Sequence, residues 1–398
     1  MRRRPAPRED LPRAVLLEPN DGCLTVARRL AERGVEVVAL CSPASSWVAH
    51  SNSLRSVPVP SLRDPTVSRW LAALSDLADR PGVLINGTDA AAEFVFAHRA
   101  AVPEALSSFE APGNAHPTLM DKEQLYDLAR GVGVRVPATI LISERGDGAM
   151  LERAALSAPC IAKPVLGHVG RRAGDFTTRR LTDADAVRTH VGAALDAGIP
   201  MLVSEVVPGP TSALESVMVI RAADGSYPLE VSRRKVRDYA NGIGTLHEVH
   251  PSPDAIAQTR LLLEASHFTG IAASEFKRHA VTGDLYLIEV NVRVNQGFGA
   301  AEAAGVDASW RLYATLAGMT VPPQPAIRYG RKVWLPQHDL HAFRQDYPGR
   351  PRPSVREVAV SLRGVRDFGA LSWRDPGPAL SLARSEAGQA LRKVRPAR

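Results

Sequence analysis

Apolar positions along this chain follow two different rhythms. From residue 14 to about residue 101, short unbroken apolar runs alternate with stretches of helical spacing. "AVLLE" at 14–18 is the first run, "LTVARRLAERG" follows with helical spacing and a stop at Gly34, and "VEVVAL" at 35–40 is the second run. "GVLING" at 82–87 and a helix from Thr88 to about Ala101 repeat the unit. Such alternation predicts a parallel sheet with helices on its faces. The breaker-rich "SSFEAPGNAHP" at 107–117 predicts a boundary.

Beyond it the rhythm turns to strands and hairpins. A helix capped by Thr118 runs through "TLMDKEQLYDLARGVGV". Strands "ATILI", "CIAKPV" and "DFTTRRL" precede a helix capped by Thr182, and "MLVSEVV" follows it. Two hairpins, "SVMVIRAADGSYPLEVSRR" and "IAASEFKRHAVTGDLYLIEVNVRV", flank the helix "DAIAQTRLLLEASHF". From about residue 321 the chain is rich in proline and basic residues, which predicts a tail packed on the body. The expected units are an α/β parallel-sheet domain over 1–112, an α+β unit of antiparallel sheets and helices up to residue 320, and a tail over 321–398.

Composition narrows the classes. A chain of 398 residues exceeds one ordinary core, and 45% apolar with 23% charged residues is the balance of a soluble globular protein. No apolar run has the length of a membrane span, and the run after the basic start stops at Glu18, a poor signal peptide. Cys23, Cys41 and Cys160 are widely spaced and read as buried thiols of a reducing compartment, the cytoplasm. Much of the net charge of +7 sits in "MRRR" and "LRKVRPAR" at the two ends, with no aromatic-interleaved basic stripe between. That favours a small anionic ligand over nucleic acid. The turn "EPNDGCL" lacks the glycines of a dinucleotide fingerprint, so no nicotinamide or flavin is expected.

Chemistry concentrates in the last hairpin. Glu289, Asn291 and Arg293 alternate, so in a strand they share one face. Glu275 and Glu289 are symmetric about Thr282, so a turn centred there sets two carboxylates opposite each other. Like charges so placed destabilise a strand pair unless a cation lies between them. Two carboxylates and an amide oxygen suit Mg²⁺, which completes its shell with water and phosphate oxygens. Lys163 ends the apolar strand "CIAKPV", before a loop with glycines at 167, 170 and 174 whose backbone can cradle phosphate. Lys122 in "MDKEQL" and Glu205, before Pro208-Gly209, complete the candidates.

In this order the features resemble the ATP-grasp superfamily, over roughly residues 14–320. Within it the chain looks like carboxylate–amine ligases related to the large chain of carbamoyl phosphate synthase and to D-aspartate ligases. The resemblance implies a Rossmann-like domain over 1–112 followed by two subdomains clasping ATP, a small one over 113–205 with the glycine loop and a central one over 206–320 with the metal site. It implies that Lys122, Lys163 and the loop of Gly167 and Gly170 bind phosphates, and that Glu205 and the Val207 backbone hold adenine. Glu275, Glu289 and Asn291 would bind Mg²⁺, while Arg293, Arg234 and Lys235 would steady the transferred phosphoryl group and the attacking carboxylate. A homodimer is the family's habit.

Three departures from the family pattern stand out. Thr211 and Ser212 replace acids that hold the ribose, a contact that would fall to Glu215 or be lost. "NVR" replaces the familiar "NPR", and Asn295 and Gln296 follow where relatives touch substrate. The implied reaction is two-step ligation of a small carboxylate and an amine, with amino acids the expected partners, through an acyl phosphate. Rival readings are a non-catalytic nucleotide module, which would need a broken metal set, and a bicarbonate-using carboxylase. His50, Ser51, Arg55 and Asp89 are placed where the N-terminal unit could face the site.

Overall fold

The computed structural model describes residues 5–109, 116–144, 152, 159–165, 176–239, 243–339 and 354–394. The first unit comprises β1 (Arg13–Leu17), α1 (Asp21–Glu32), β2 (Val37–Cys41), β3 (Arg55–Pro58), α2 (Val67–Ser75), β4 (Gly82–Asn86), α3 (Asp89–Ala97) and β5 (Leu106–Ser107). All its strands are parallel, in the order β3-β2-β1-β4-β5. β1, β2 and β4 are buried along their whole length, which is why their sequences are continuous apolar runs. The strand order reverses between β1 and β4, which makes the region beyond their carboxyl ends the switch-point crevice of an open α/β sheet. Asn20 lies in it, capping α1 through Cys23 N–H while its amide donates to the carbonyls of Gly87 at 2.6 Å and Val294 at 2.7 Å. That residue ties the first unit to the strand carrying the candidate metal ligands.

The expected helix from Thr118 is two helices, α4 (His116–Met120) and α5 (Lys122–Gly131). The cap is Asp121, not Thr118, because the Asp121 carboxylate accepts from the N–H groups of Glu123 and Gln124. Leu125, Tyr126 and Ala129 of α5 pack under the large sheet with Phe276 and Leu287, so α5 belongs to that core and not to the unit drawn over 113–205. The small sheet holds β6 (Thr139–Ile142), β7 (Cys160–Pro164), β8 (Arg179–Leu181) and β9 (Met201–Glu205) in antiparallel order β6-β9-β7-β8. Its helix α6 (Ala184–Asp196) is capped by Asp183, which accepts from Ala186 N–H at 2.8 Å; Thr182 only supports that carboxylate.

The large sheet contains β10 (Leu214–Arg221), β11 (Leu229–Tyr239), β12 (Ile243–Val249), β13 (Gly270–Arg278) and β14 (Leu285–Asn291), with α7 (Pro253–Ala265) against its outer face. After α8 (Gly299–Ala303) and α9 (Ala308–Leu316) come β15 (Lys332–Trp334), α10 (Val355–Ser361), β16 (Val365–Asp367) and α11 (Gly377–Val394). β15 pairs with β12 and β16 with β15, giving the order β14-β13-β10-β11-β12-β15-β16. The segment after residue 321 is therefore more than a packed tail: it extends the sheet, because the edge of β12 offers ladder groups that Lys332–Trp334 satisfy.

Candidate active site

The β13–β14 hairpin carries the acidic pair, by a route different from the expected one. Near the turn, Arg278 pairs with Leu285, Lys277 with Tyr286 and Phe276 with Leu287, so the turn is centred half a residue before Thr282. A bulge at Ile288 then shifts the ladder by one, and Glu275 faces Glu289 after all. The bulge also explains the apolar pattern. Leu285 and Leu287 enter the core before it, and Val290 and Val292 after it, so the inward parity switches between them. Ile288, left over, turns its carbonyl outward to accept from Tyr126 Oη at 3.0 Å and Lys163 Nζ at 3.4 Å.

From Glu289 a chain of polar contacts runs into the crevice of the first unit. Asn291 Nδ2 donates to Glu289 Oε1 at 3.0 Å, and Arg293 Nη2 donates to Asn291 Oδ1 at 3.0 Å. Arg293 also grips Asp89, with Nε to Oδ1 at 2.7 Å. Asp89 is thus a site residue. His50, Ser51 and Arg55 are not brought to it: the His50 carbonyl meets Gly377, Ser51 Oγ donates to Asp375, and Arg55 lies exposed on the edge strand.

Lysines close in around Glu289. Lys122 is the first residue of α5, Lys163 reaches over from β7, and Lys235 on β11 donates to Glu275 Oε2 at 2.7 Å. Burial raises the Glu289 carboxyl, but Lys122, Asn291, Lys235 and Lys163 outweigh it and hold the group below its ordinary value. Burial depresses the Lys163 ammonium to about 8, opposed by Glu289. Lys122 is lowered for the same reason. Tyr126, one helical turn after Lys122, accepts from Lys163 Nζ at 2.6 Å and was not among the expected site residues.

Two expected assignments are corrected. Arg234 cannot act beside Lys235, because neighbours on a strand face opposite ways. It pairs across the ladder with Glu215 and Glu248, on the face away from Glu275, and donates to Glu248 at 3.3 Å. Glu215 sits on that outer face too, 6% exposed, with both oxygens held by Arg278 at 2.6 and 2.9 Å, and it also binds Ser252. It is unavailable to a ribose. The arginine that does face inward is Arg233, in the same cross-strand row as Ser216, Glu275 and Glu289. It is 3% exposed, its Nε and Nη1 have no hydrogen-bond partner among the described residues, and burial pushes it down to about 10. A buried unpaired donor costs about 1–3 kcal/mol. The period-two pattern of "EVSRRKV", with Arg233 and Lys235 in phase, was the signal for it.

At the other end, Glu205 bridges to Ala138, whose N–H it accepts at 2.9 Å, and Val207 is buried beside it. The stretch with Gly167, Gly170 and Gly174 lies outside the described residues. Glu275, Glu289 and Asn291 offer hard oxygen donors, and among the described residues no three His, Cys, Asp or Glu side chains are grouped so that they alone could hold a metal ion. Two carboxylates and one amide leave positions for water and phosphate, which fits Mg²⁺. Lys122, Lys163, Lys235, Arg233 and Arg293 set five cations against the three anions Glu275, Glu289 and Asp89, an excess that suits a polyanion.

No protein-family model matches the sequence, and no curated protein matches it. Solved structures do. An N5-carboxyaminoimidazole ribonucleotide synthetase bound to ADP superposes with a TM-score of 0.64 at 15% identity, over 97% of this chain and 99% of that one. An L-amino acid ligase from Bacillus licheniformis gives 0.61 at 16% identity, over 82% and 80%. The biotin carboxylase domain dimer of the Hydrogenobacter thermophilus 2-oxoglutarate carboxylase, with MgADP, ADP and bicarbonate, gives 0.62 at 14%, over 81% and 74%. At such identities the likeness is one of fold. The small and large sheets meeting around Lys163 and Glu289, behind a parallel-sheet unit, give this chain the ATP-grasp fold.

Proposed function

We propose that this protein is an ADP-forming ligase that joins a small carboxylate to an amine through an acyl phosphate. The observation that carries the reading is the Glu275–Glu289 pair, facing each other on the large sheet and ringed by Lys122, Lys163 and Lys235. Glu275, Glu289 and Asn291 would hold Mg²⁺, which supplies charge neutralisation for the phosphates. Lys122 and Lys163 would bind the α- and β-phosphates, with the loop of Gly167 and Gly170 over them, and Glu205 with the Val207 backbone would receive adenine.

A carboxylate oxygen then attacks the γ-phosphorus, the bond to the β–γ bridging oxygen breaks, and ADP leaves with its electron pair. The amine nitrogen next attacks the acyl carbon, phosphate departs, and the amine proton goes to solvent. Lys235 and Arg293 stabilise charge on the phosphoryl group during transfer. Such chemistry needs positioning and charge more than a protein nucleophile. The amino acid ligase among the structures of this fold supports amino acids as partners.

A bicarbonate-using carboxylase is the second reading, favoured by the carboxylase and the synthetase of the same fold. The likeness to the synthetase covers nearly the whole chain, so the N-terminal unit does not argue against it. No helix among the described residues is long and apolar enough to cross a membrane, and Cys23, Cys41 and Cys160 are free and buried, in keeping with a cytoplasmic enzyme. The test is a screen of amino-acid pairs with ATP and Mg²⁺, read by phosphate release and product mass. Turnover only with an acid and an amine supports the ligase; turnover with bicarbonate alone supports the carboxylase; nucleotide binding without turnover refutes both.

A further inference from the structure

The row that begins with Glu289 and Glu275 continues across the sheet to Ser216 on β10 and Arg233 on β11. Two strand steps separate Glu275 from Arg233, roughly 10 Å. Among the described residues, Arg233 Nε and Nη1, Ser216 Oγ and His247 Nδ1 are buried without a hydrogen-bond partner. His247 lies in the next row of the same face, opposite Lys235, and burial keeps its imidazole well below its ordinary value and neutral. Lys235 already occupies the nearest carboxylate, Glu275. Native interiors rarely leave several such groups together unless a ligand or water meets them.

The shape of the site is specific. Arg233 lies against the backbone of Gly297, so close that a Cβ there would stand 1.3 Å from Nη1. Gly297 belongs to the short 3-10 turn Gln296–Phe298 that follows β14 and Arg293, so the guanidinium sits under the chain just past the proposed metal ligands. A planar guanidinium with free donors beside a hydroxyl matches the two oxygens of a carboxylate better than any neutral group. The phosphates have their own cations, Lys122 and Lys163, at the other edge of the row beside Glu289.

We propose that Arg233, assisted by Ser216, anchors a carboxylate of the acid substrate against Gly297, in the same row as the acidic pair. This rests on the ligase reading for calling the ligand a substrate; the site's demand for an anion does not. The residue binds and positions that acid, and Gly297 is small so that the guanidinium can reach it.

The test is equilibrium binding to the full chain saturated with MgADP, with the twenty L-amino acids and their carboxamides as probes. At least one amino acid should bind, its carboxamide at least about 30-fold more weakly. Arg233→Gln should abolish the preference and Arg233→Lys restore part of it, with MgADP affinity within about twofold of the unaltered protein. Equal binding of acid and amide, no binding of any amino acid, or a preference that survives Arg233→Gln would overturn the proposal. Should the variants not fold, the comparison of acid with amide on the unaltered protein decides alone. Arg233-dependent acid binding without phosphate release would refute the ligase and leave this site standing; phosphate release with unchanged binding in Arg233→Gln would do the reverse.

Discussion

Replacing Glu289 by glutamine keeps its shape and removes one negative charge from a site with three lysines around it. In the unaltered protein the carboxyl is held below its ordinary 4.5 because Lys122, Asn291, Lys235 and Lys163 outweigh burial. The stability it contributes is therefore present above its unfolded value and lost as pH falls through the lower folded one. Removing one partner of a buried charge cluster costs about 3–5 kcal/mol, and the partial exposure of Glu289 trims this to about 2–3 kcal/mol. Glu289→Gln should therefore be destabilised by that amount in urea unfolding at pH 7. The deficit should shrink below pH 4 as the carboxylate of the unaltered protein is protonated. Glu289 is also the group opposing the burial of Lys163, so removing its charge should push that lysine further down from about 8. Turnover should fall at least about 10³-fold through loss of a proposed Mg²⁺ ligand. Activity within tenfold of the unaltered enzyme, or a stability deficit independent of pH, would refute the reasoning.

Other consequences can be checked one at a time. Nucleotide binding should take up a proton above about pH 8, because burial holds the Lys163 ammonium down to about 8 in the free protein and a phosphate beside it would raise it; calorimetry in buffers of different ionisation enthalpy reads this. Affinity should be flat below pH 7 and weaken by up to tenfold per unit above 8. Glu215→Gln should cost about 2–4 kcal/mol of stability, since Arg278 loses its buried partner, yet leave the KM for ATP within about twofold. Lys235→Met should lower kcat by at least about 100-fold, whereas Arg234→Met, on the opposite face, should change it less than threefold; steady-state kinetics of the pair separates them.

The parallel sheet was legible because buried strands must be apolar throughout, as β1 and β2 are. Glu275 and Glu289 were legible as a pair, although the reasoning about the turn centre missed the bulge that aligns them. The apolar residues themselves recorded it, shifting parity between Leu287 and Val290. Residues that depend on distant chain were harder to read. Tyr126 matters because Lys163 comes to it from another sheet, and Asp89 because Arg293 reaches it from a strand two hundred residues on. Glu215 looked available because nothing in its own neighbourhood announces that Arg278, on another strand, neutralises it. Thr118 and Thr182 lost their capping roles to Asp121 and Asp183, acids one to three positions further on that reach the orphan amides with a charge.

In the proposed reaction a carboxylate takes the γ-phosphoryl group before the amine attacks. Once the screen has found the acid, turnover with its carboxylate labelled in ¹⁸O tests this directly. Each phosphate released should carry one labelled oxygen, and the amide product the other. Phosphate released without label would contradict it.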